Sequence, residues 1–138
     1  MKTEINYLFD VDGTLTPSRG VIDSNFAKWF LNFCKRKNVV LVTGSDRPKT
    51  LEQLGEDIYN SCKKVYNCSG NDVYIAQEQI QYNDWKLPIE VQQWLQFKLD
   101  ISPFQLRTGL HFEHRTGMCN YSVVGRNAQT PERKQYYK

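Results

Sequence analysis

Tyr7-Leu8-Phe9-Asp10-Val11-Asp12-Gly13-Thr14-Leu15-Thr16 is the stretch on which the fold turns. A short apolar run delivers two carboxylates two residues apart, and Gly13 then breaks the pattern. Residues i and i+2 of a strand share a face. A strand that stays regular past Phe9 therefore points Asp10 and Asp12 the same way, at its C-terminal end. In an open α/β sheet, ligands bind at that end. Two carboxylates so close repel unless a cation lies between them or one keeps a proton. The pair asks for a hard cation, most simply Mg²⁺, and an aspartate can itself attack phosphorus. A second reading stays open here, with both Asp residues as turn formers or helix caps. An EF-hand is excluded, because a loop starting at Asp10 puts Leu15 where Gly is required and Val21 where the bidentate Glu belongs. A solvated acidic loop is excluded by Ile5, Tyr7, Leu8 and Phe9.

Around this stretch the chain is 138 residues long, enough for one domain or one domain with a modest insertion. It is 40% hydrophobic, with 8 Tyr, 7 Phe and 3 Trp, which supports a packed core and argues against disorder. Its net charge of +3 suits phosphorylated small molecules and is too weak to argue for nucleic acid. No apolar run is long enough for a membrane span, and Met1-Lys2-Thr3-Glu4 leads straight into a strand without a signal-peptide core. Cys34, Cys62, Cys68 and Cys119 have neither zinc nor C-x-x-C spacing, so they read as four reduced thiols of a cytoplasmic protein.

In chain order, residues 4–10 read as a strand and 13–22 as a loop. Asp23 or Ser24 then caps a helix whose Phe26, Trp29, Phe30, Phe33 and Cys34 form a stripe toward a sheet. Val39-Val40-Leu41-Val42 is a continuous apolar run, as in a strand covered on both faces. Asp46 caps a following helix with Pro48 in its first turn, running through Leu51, Leu54 and Ile58. Because helix N-termini favour anions, Ser45 can face phosphate; the alternative, that it only caps the helix, stays open. Residues 64–68 read as a third, parallel strand, 69–72 as a turn, and 73–76 with 79–82 as a hairpin. Pro88 opens a helix with Val91, Trp94, Leu95 and Leu99 on one side. Residues 110–115 and 118–124 are strands joined tightly at Thr116-Gly117. A helix and an antiparallel pair placed after the third strand have the form of an inserted lid, so the core is assigned to 1–82 and the lid to 83–138. The fold class is α/β.

Phe9-Asp10-Val11-Asp12-Gly13-Thr14-Leu15-Thr16 closely resembles the first motif of the haloacid dehalogenase superfamily of phosphotransferases. The resemblance implies a Rossmann-like parallel sheet, Asp10 as nucleophile and Asp12 as general acid/base. It also implies Thr43, at the end of the second strand, as the hydroxyl that holds a phosphoryl oxygen, and Mg²⁺ on the Asp10 carboxylate and the Asp12 main-chain carbonyl. A second string, Phe112-Glu113-His114-Arg115-Thr116-Gly117-Met118-Cys119-Asn120-Tyr121-Ser122-Val123-Val124-Gly125-Arg126, looks like the cap segment of the eukaryotic-type α-phosphomannomutases. Asp10 through Arg19, Gly44-Ser45-Asp46 and Glu52-Gln53-Leu54-Gly55 share that resemblance. It implies that Arg19, Arg115 and Arg126 grip the phosphate that is not reacting, an arrangement that suits the planar guanidinium fork. A mutase needs such a clamp while its sugar turns over, whereas a phosphatase does not.

The implied reaction interconverts mannose 1-phosphate and mannose 6-phosphate through an aspartyl-phosphate, primed by a sugar bisphosphate and supplying GDP-mannose. No nucleic acid or membrane partner is expected, and the resemblance implies pairing of two copies through the cap. Two other functions compete: a phosphosugar phosphatase, and a non-catalytic phosphosugar-binding domain. The sequence departs from the family pattern in places. Thr43 stands where the family has the first Gly of Gly-Gly-Ser-Asp, and Ser69-Gly70-Asn71 replaces Glu-Asn-Gly. The family's third-motif Lys and fourth-motif acidic metal ligands are not found before Lys138, so the fold is expected to be incomplete at the C-terminus.

Overall fold

The computed structural model describes residues 4–137; Met1–Thr3 and Lys138, which enter the expected core and lid spans, lie outside the described residues. The chain divides into two compact units, Met1–Asp84 and Trp85–Lys138.

The first unit is an α/β sheet of five strands: β1 (Asn6–Phe9), β2 (Asn38–Val42), β3 (Lys64–Asn67), β4 (Asp72–Ile75) and β5 (Glu78–Tyr82). They lie in sequential order, with β1 at one edge. β1, β2 and β3 are parallel, with Phe9 opposite Leu41 and Val42 opposite Tyr66. β4 and β5 are antiparallel and continue the same sheet. The parallel strands are connected through α1 (Ser24–Arg36) and through α2 (Arg47–Leu54) followed by α3 (Glu56–Ser61). Asp23 caps α1 by accepting from the Asn25 and Phe26 amides at 3.0 and 2.9 Å. Asp46 caps α2, as the sequence leads one to expect, accepting from the Lys49 amide at 3.0 Å.

All three helices pack on one face of the sheet. Phe30 and Cys34 of α1, Leu54 of α2, and Ile58 and Tyr59 of α3 meet Val39, Leu41 and Val65 in one core. Tyr7 and Phe9 of β1 pack edge-on against Phe33 and Phe30, with ring centroids 5.2 and 5.3 Å apart. Behind this core, a buried polar chain links Thr50, Asn67 and Tyr59. Burial pushes the Tyr59 phenol up, although Asn67 and Arg47 act the other way.

Four expectations are corrected here. β1 stops at Phe9, because Val11 turns its carbonyl back onto the amides of Thr14, Leu15 and Thr16; Asp10 and Asp12 therefore do not sit in a regular strand. The expected single helix through Ile58 breaks at Gly55 (φ 81°), which caps α2 and opens α3. The α1 stripe is only partly core, since Trp29 is 55% exposed and stacks on Phe26 and Phe33 at the surface. β2 is covered on one face and not two, with Val39 and Leu41 buried but Val42 exposed.

The second unit contains α4 (Ile89–Asp100), the hairpin β6 (Phe112–Arg115) with β7 (Met118–Tyr121), and α5 (Thr130–Tyr136). Gly117 (φ 64°) makes the expected tight turn. Leu99, Val124 and Ala128 are its buried apolar side chains among the described residues, and of the four residues on one side of α4, Leu99 is buried, Leu95 half-buried, and Val91 and Trp94 exposed. Among the described residues no helix is long and apolar enough to cross a membrane.

Candidate active site

The C-terminal edge of the parallel strands gathers Asp10, Asp12, Arg19, Thr43 and Ser45. Asp10 follows directly on β1 and Thr43 on β2, and the Phe9–Leu41 register sets these two strand ends side by side. Asp10 is exposed and accepts one long hydrogen bond, from the Thr14 hydroxyl at 3.5 Å. Its carboxylate is thus little engaged, as suits a group that must meet a ligand.

Asp12 is held quite differently. Its Oδ1 accepts from the Arg19 amide at 2.7 Å and from Gln53 Nε2 at 2.8 Å. Its Oδ2 accepts from the Ser45 hydroxyl at 3.4 Å. Arg19 reaches this position with φ 61°, left-handed backbone that costs a non-glycine residue about 1–2 kcal/mol. Such strain marks a functional site when the surroundings enforce it; here it aims the Arg19 amide at Asp12.

Thr43 and Ser45 are both buried. The Thr43 hydroxyl oxygen accepts from the Ser45 amide at 3.1 Å, and the Thr43 amide donates to the Tyr66 carbonyl. Thr43 therefore shapes the loop while its hydroxyl hydrogen remains able to donate to an anion. Ser45 both points at Asp12 and, through its carbonyl, accepts from Cys68 of the next loop.

Gln53 is a residue whose role reading the sequence missed. It is fully buried on α2, its Nε2 donates to Asp12 and, at 3.4 Å, to Thr16 Oγ1, and its carbonyl accepts from the Ile22 amide. One side chain ties the Asp12 loop to a helix. A lone Gln in a helical run carries no signal of this, because its partners are 41 and 37 residues away.

The donor set fits Mg²⁺. Among the described residues no three acidic, histidine or cysteine side chains converge. The Asp10 carboxylate and the Asp12 main-chain carbonyl are hard oxygens, and Mg²⁺ commonly binds through one or two carboxylates, with waters and phosphate oxygens completing its shell.

In the second unit, Arg115 and Arg126 meet on one carboxylate. Glu113 Oε2 lies 3.1 Å from Arg115 Nη2 and 2.5 Å from Arg126 Nη2, and accepts from Asn120 at 3.4 Å. Burial opposes the Glu113 charge, but Arg115 and then Arg126 outweigh it and hold the carboxyl below its ordinary range. Glu113 and Arg115 share a face of β6, and Asn120 stands opposite Glu113. Glu113 fixes both guanidinium groups, a role that its place two residues before an arginine could have signalled. Arg126 Nε is buried with no hydrogen-bond partner among the described residues. With Arg133, Tyr121 and Ser122, Arg126 lines a recess of about 320 Å³. Arg133, also overlooked in the sequence, is braced there by the Ala128 carbonyl at 2.9 Å.

A family model described as eukaryotic phosphomannomutase matches residues 26–138. A phosphomannomutase of Saccharomyces cerevisiae is 32% identical over 145 residues, covering 98% of this chain and 56% of the relative. A phosphomannomutase of Schizosaccharomyces pombe is 34% identical over 141 residues, with coverage of 94% and 54%. The chain spans about half the length of the curated relatives it matches. Among solved structures, a haloacid dehalogenase-like hydrolase from Bacteroides thetaiotaomicron superposes with TM-score 0.52 at 19% identity, over 71% of this chain and 39% of that one. An IMP-bound IMP-nucleotidase mutant from Plasmodium falciparum gives 0.55 at 14% identity, over 96% and 43%. These likenesses show the fold, an α/β fold of haloacid dehalogenase type.

Proposed function

From a chain that belongs to the eukaryotic phosphomannomutase family, we infer a phosphotransferase part that interconverts mannose 1-phosphate and mannose 6-phosphate through a phosphorylated Asp10. The observation that carries this reading is the contrast between the two carboxylates: Asp10 exposed and barely engaged, Asp12 oriented by three donors.

In the proposed cycle, an Asp10 oxygen attacks a phosphorus of the sugar bisphosphate and the bond from that phosphorus to the sugar oxygen breaks. Asp12 gives its proton to the departing oxygen. In the return step Asp12 takes the proton from the sugar hydroxyl that attacks phospho-Asp10. The Thr43 hydroxyl donates to an oxygen of the transferring group, and the Ser45 hydroxyl leaves its long 3.4 Å contact with Asp12 to donate to another. Mg²⁺, when bound by the Asp10 carboxylate and the Asp12 carbonyl, neutralises the charge of the phosphoryl group. Arg19, Arg115 and Arg126 hold the other phosphate as the sugar turns, with Glu113 orienting two of them. We assign the first unit as core and the second as cap, pairing of two copies to the cap, and the reaction to the cytoplasm, where four free cysteines stay reduced. The product would feed GDP-mannose formation.

The test is ³¹P NMR of the intact chain with mannose 1-phosphate, Mg²⁺ and catalytic mannose 1,6-bisphosphate. Mannose 6-phosphate should accumulate. Free phosphate alone would point to a phosphatase instead, and an unchanged spectrum to a binding domain without turnover.

A further inference from the structure

Glu113 stands between the two arginines of the second unit that are proposed to grip phosphate, and it carries the charge sign of the phosphate itself. Three donors converge on its Oε2: Arg126 Nη2 at 2.5 Å, Arg115 Nη2 at 3.1 Å and Asn120 Nδ2 at 3.4 Å. One oxygen thus serves three groups, whereas a phosphate monoester has three terminal oxygens to offer them. Both guanidinium groups meet Glu113 through Nη2, one end of the edge on which arginine binds two oxygens side by side. At Arg126 the other end of that edge, Nε, is buried with no hydrogen-bond partner among the described residues. The Glu113 side chain is 36% exposed, against 19% for Arg115 and 25% for Arg126. The carboxylate can therefore swing into water while the arginines keep their places. Burial opposes its charge, but Arg115 and then Arg126 hold the carboxyl below its ordinary range, so it is ionised wherever a phosphate monoester is a dianion.

We propose that Glu113 is a built-in competitor for the phosphate clamp: it holds Arg115 and Arg126 while no phosphate is bound, gives way to the non-reacting phosphate of the sugar, and shortens the stay of that phosphate by taking the arginines back. The site exchanges one anion for another instead of admitting an anion to an unneutralised recess that Arg133 also lines. A mutase has a use for this. Its sugar bisphosphate must leave the clamp and return by its other phosphate in each cycle. Binding that is equally strong in the ground and transition states lowers KM without raising kcat. Differences in affinity at one site fall mostly on dissociation, so a competing carboxylate acts on the release step. The inference rests on the clamp of the proposed function and not on phosphorylation of Asp10.

The experiment titrates the intact chain with mannose 6-phosphate by calorimetry and follows dissociation by stopped-flow fluorescence. Glu113→Gln keeps the volume and an oxygen that accepts from the arginines, but removes the charge. It should bind more tightly, by roughly the fivefold that a partly exposed ion pair contributes at most, dissociate more slowly, and lower kcat and KM together. Glu113→Asp keeps the charge and should lie nearer the parent chain than Glu113→Gln does. An orienting role alone predicts the reverse order, with Glu113→Gln near the parent and the shortened Glu113→Asp weaker. In the parent chain, the ¹³C resonance of the Glu113 carboxyl should move as mannose 6-phosphate saturates the site, and this decides the matter even where a variant fails to fold. Unchanged or weaker binding by Glu113→Gln, a carboxyl resonance that stays in place at saturation, or a parent chain that does not bind mannose 6-phosphate would each overturn the proposal. Tighter binding by Glu113→Gln in a chain without turnover would remove the proposed reaction and leave this inference standing.

Discussion

Asp12 shows how much of the site depends on single hydrogen bonds. Its carboxylate is aimed by a strained amide, a serine and a buried glutamine. Gln53→Leu keeps the volume but removes the 2.8 Å donor, and also removes Gln53 Oε1, which is buried without a hydrogen-bond partner among the described residues. Phosphoryl transfer should slow by roughly ten- to a hundredfold, part of the 10²–10⁴ that a positioned acid/base contributes, with substrate affinity unchanged. Single-turnover kinetics set beside calorimetric Kd values would check this; an unchanged rate would leave Gln53 a packing residue only. Arg115→Ala should weaken phosphosugar binding by about 1.5–3 kcal/mol, the range for a hydrogen bond to a charged group, and unaltered affinity by titration calorimetry would count against the clamp. Asp10, Asp12, Thr43 and Ser45, proposed to carry the chemistry, could be placed near one another from the sequence, since they lie in short strings at predicted strand ends. Gln53 could not, because an orienting residue so far from its partners in sequence is defined by what folds against it.

At the scale of elements, the sequence was read well wherever local chemistry decides. Asp23 and Asp46 cap their helices, and Thr116-Gly117 turns its hairpin. It misled where the answer depends on a neighbour. The run Val39–Val42 is apolar throughout, and nothing in it says whether a second layer is present. Gly125 anchors the element that presents Arg126: it has φ 96°, and a Cβ there would lie 1.7 Å from the Thr108 carbonyl oxygen. Gly125→Ala should therefore destabilise the second unit by more than the about 1–3 kcal/mol of backbone strain alone, read as a lower midpoint in urea; a midpoint equal to that of the parent chain would contradict the packing described. Glu113 links the same unit to pH. Its folded carboxyl is held below the ordinary range, so its contribution is complete above the unfolded value of about 4.3 and is lost as pH falls through the folded one. Thermal midpoints measured from pH 7 to 3 should fall at the acid end in the parent chain and fall less in Glu113→Gln; parallel curves would mean that the ion pairs contribute nothing.

For the molecule as a whole, the proposed chemistry draws on both compact units, with the phosphoryl acceptor and Arg19 in Met1–Asp84 and Arg115 and Arg126 in Trp85–Lys138. The chain spans about half the length of the family members it matches. The α/β class and the parallel strands could be read from apolar runs alternating with a striped helix. The sheet's one-sidedness could not, because it follows from strand order, which no local pattern encodes. Everything proposed for turnover converges on one covalent bond at the end of β1. Incubating the intact chain with Mg²⁺ and mannose 1,6-bisphosphate, trapping the acyl phosphate with borohydride and mapping the peptides by mass tests it directly. The account predicts modification at Asp10, absent from an Asp10→Asn variant whose circular dichroism is unchanged; no trapped residue, or the same labelling in that variant, would contradict it.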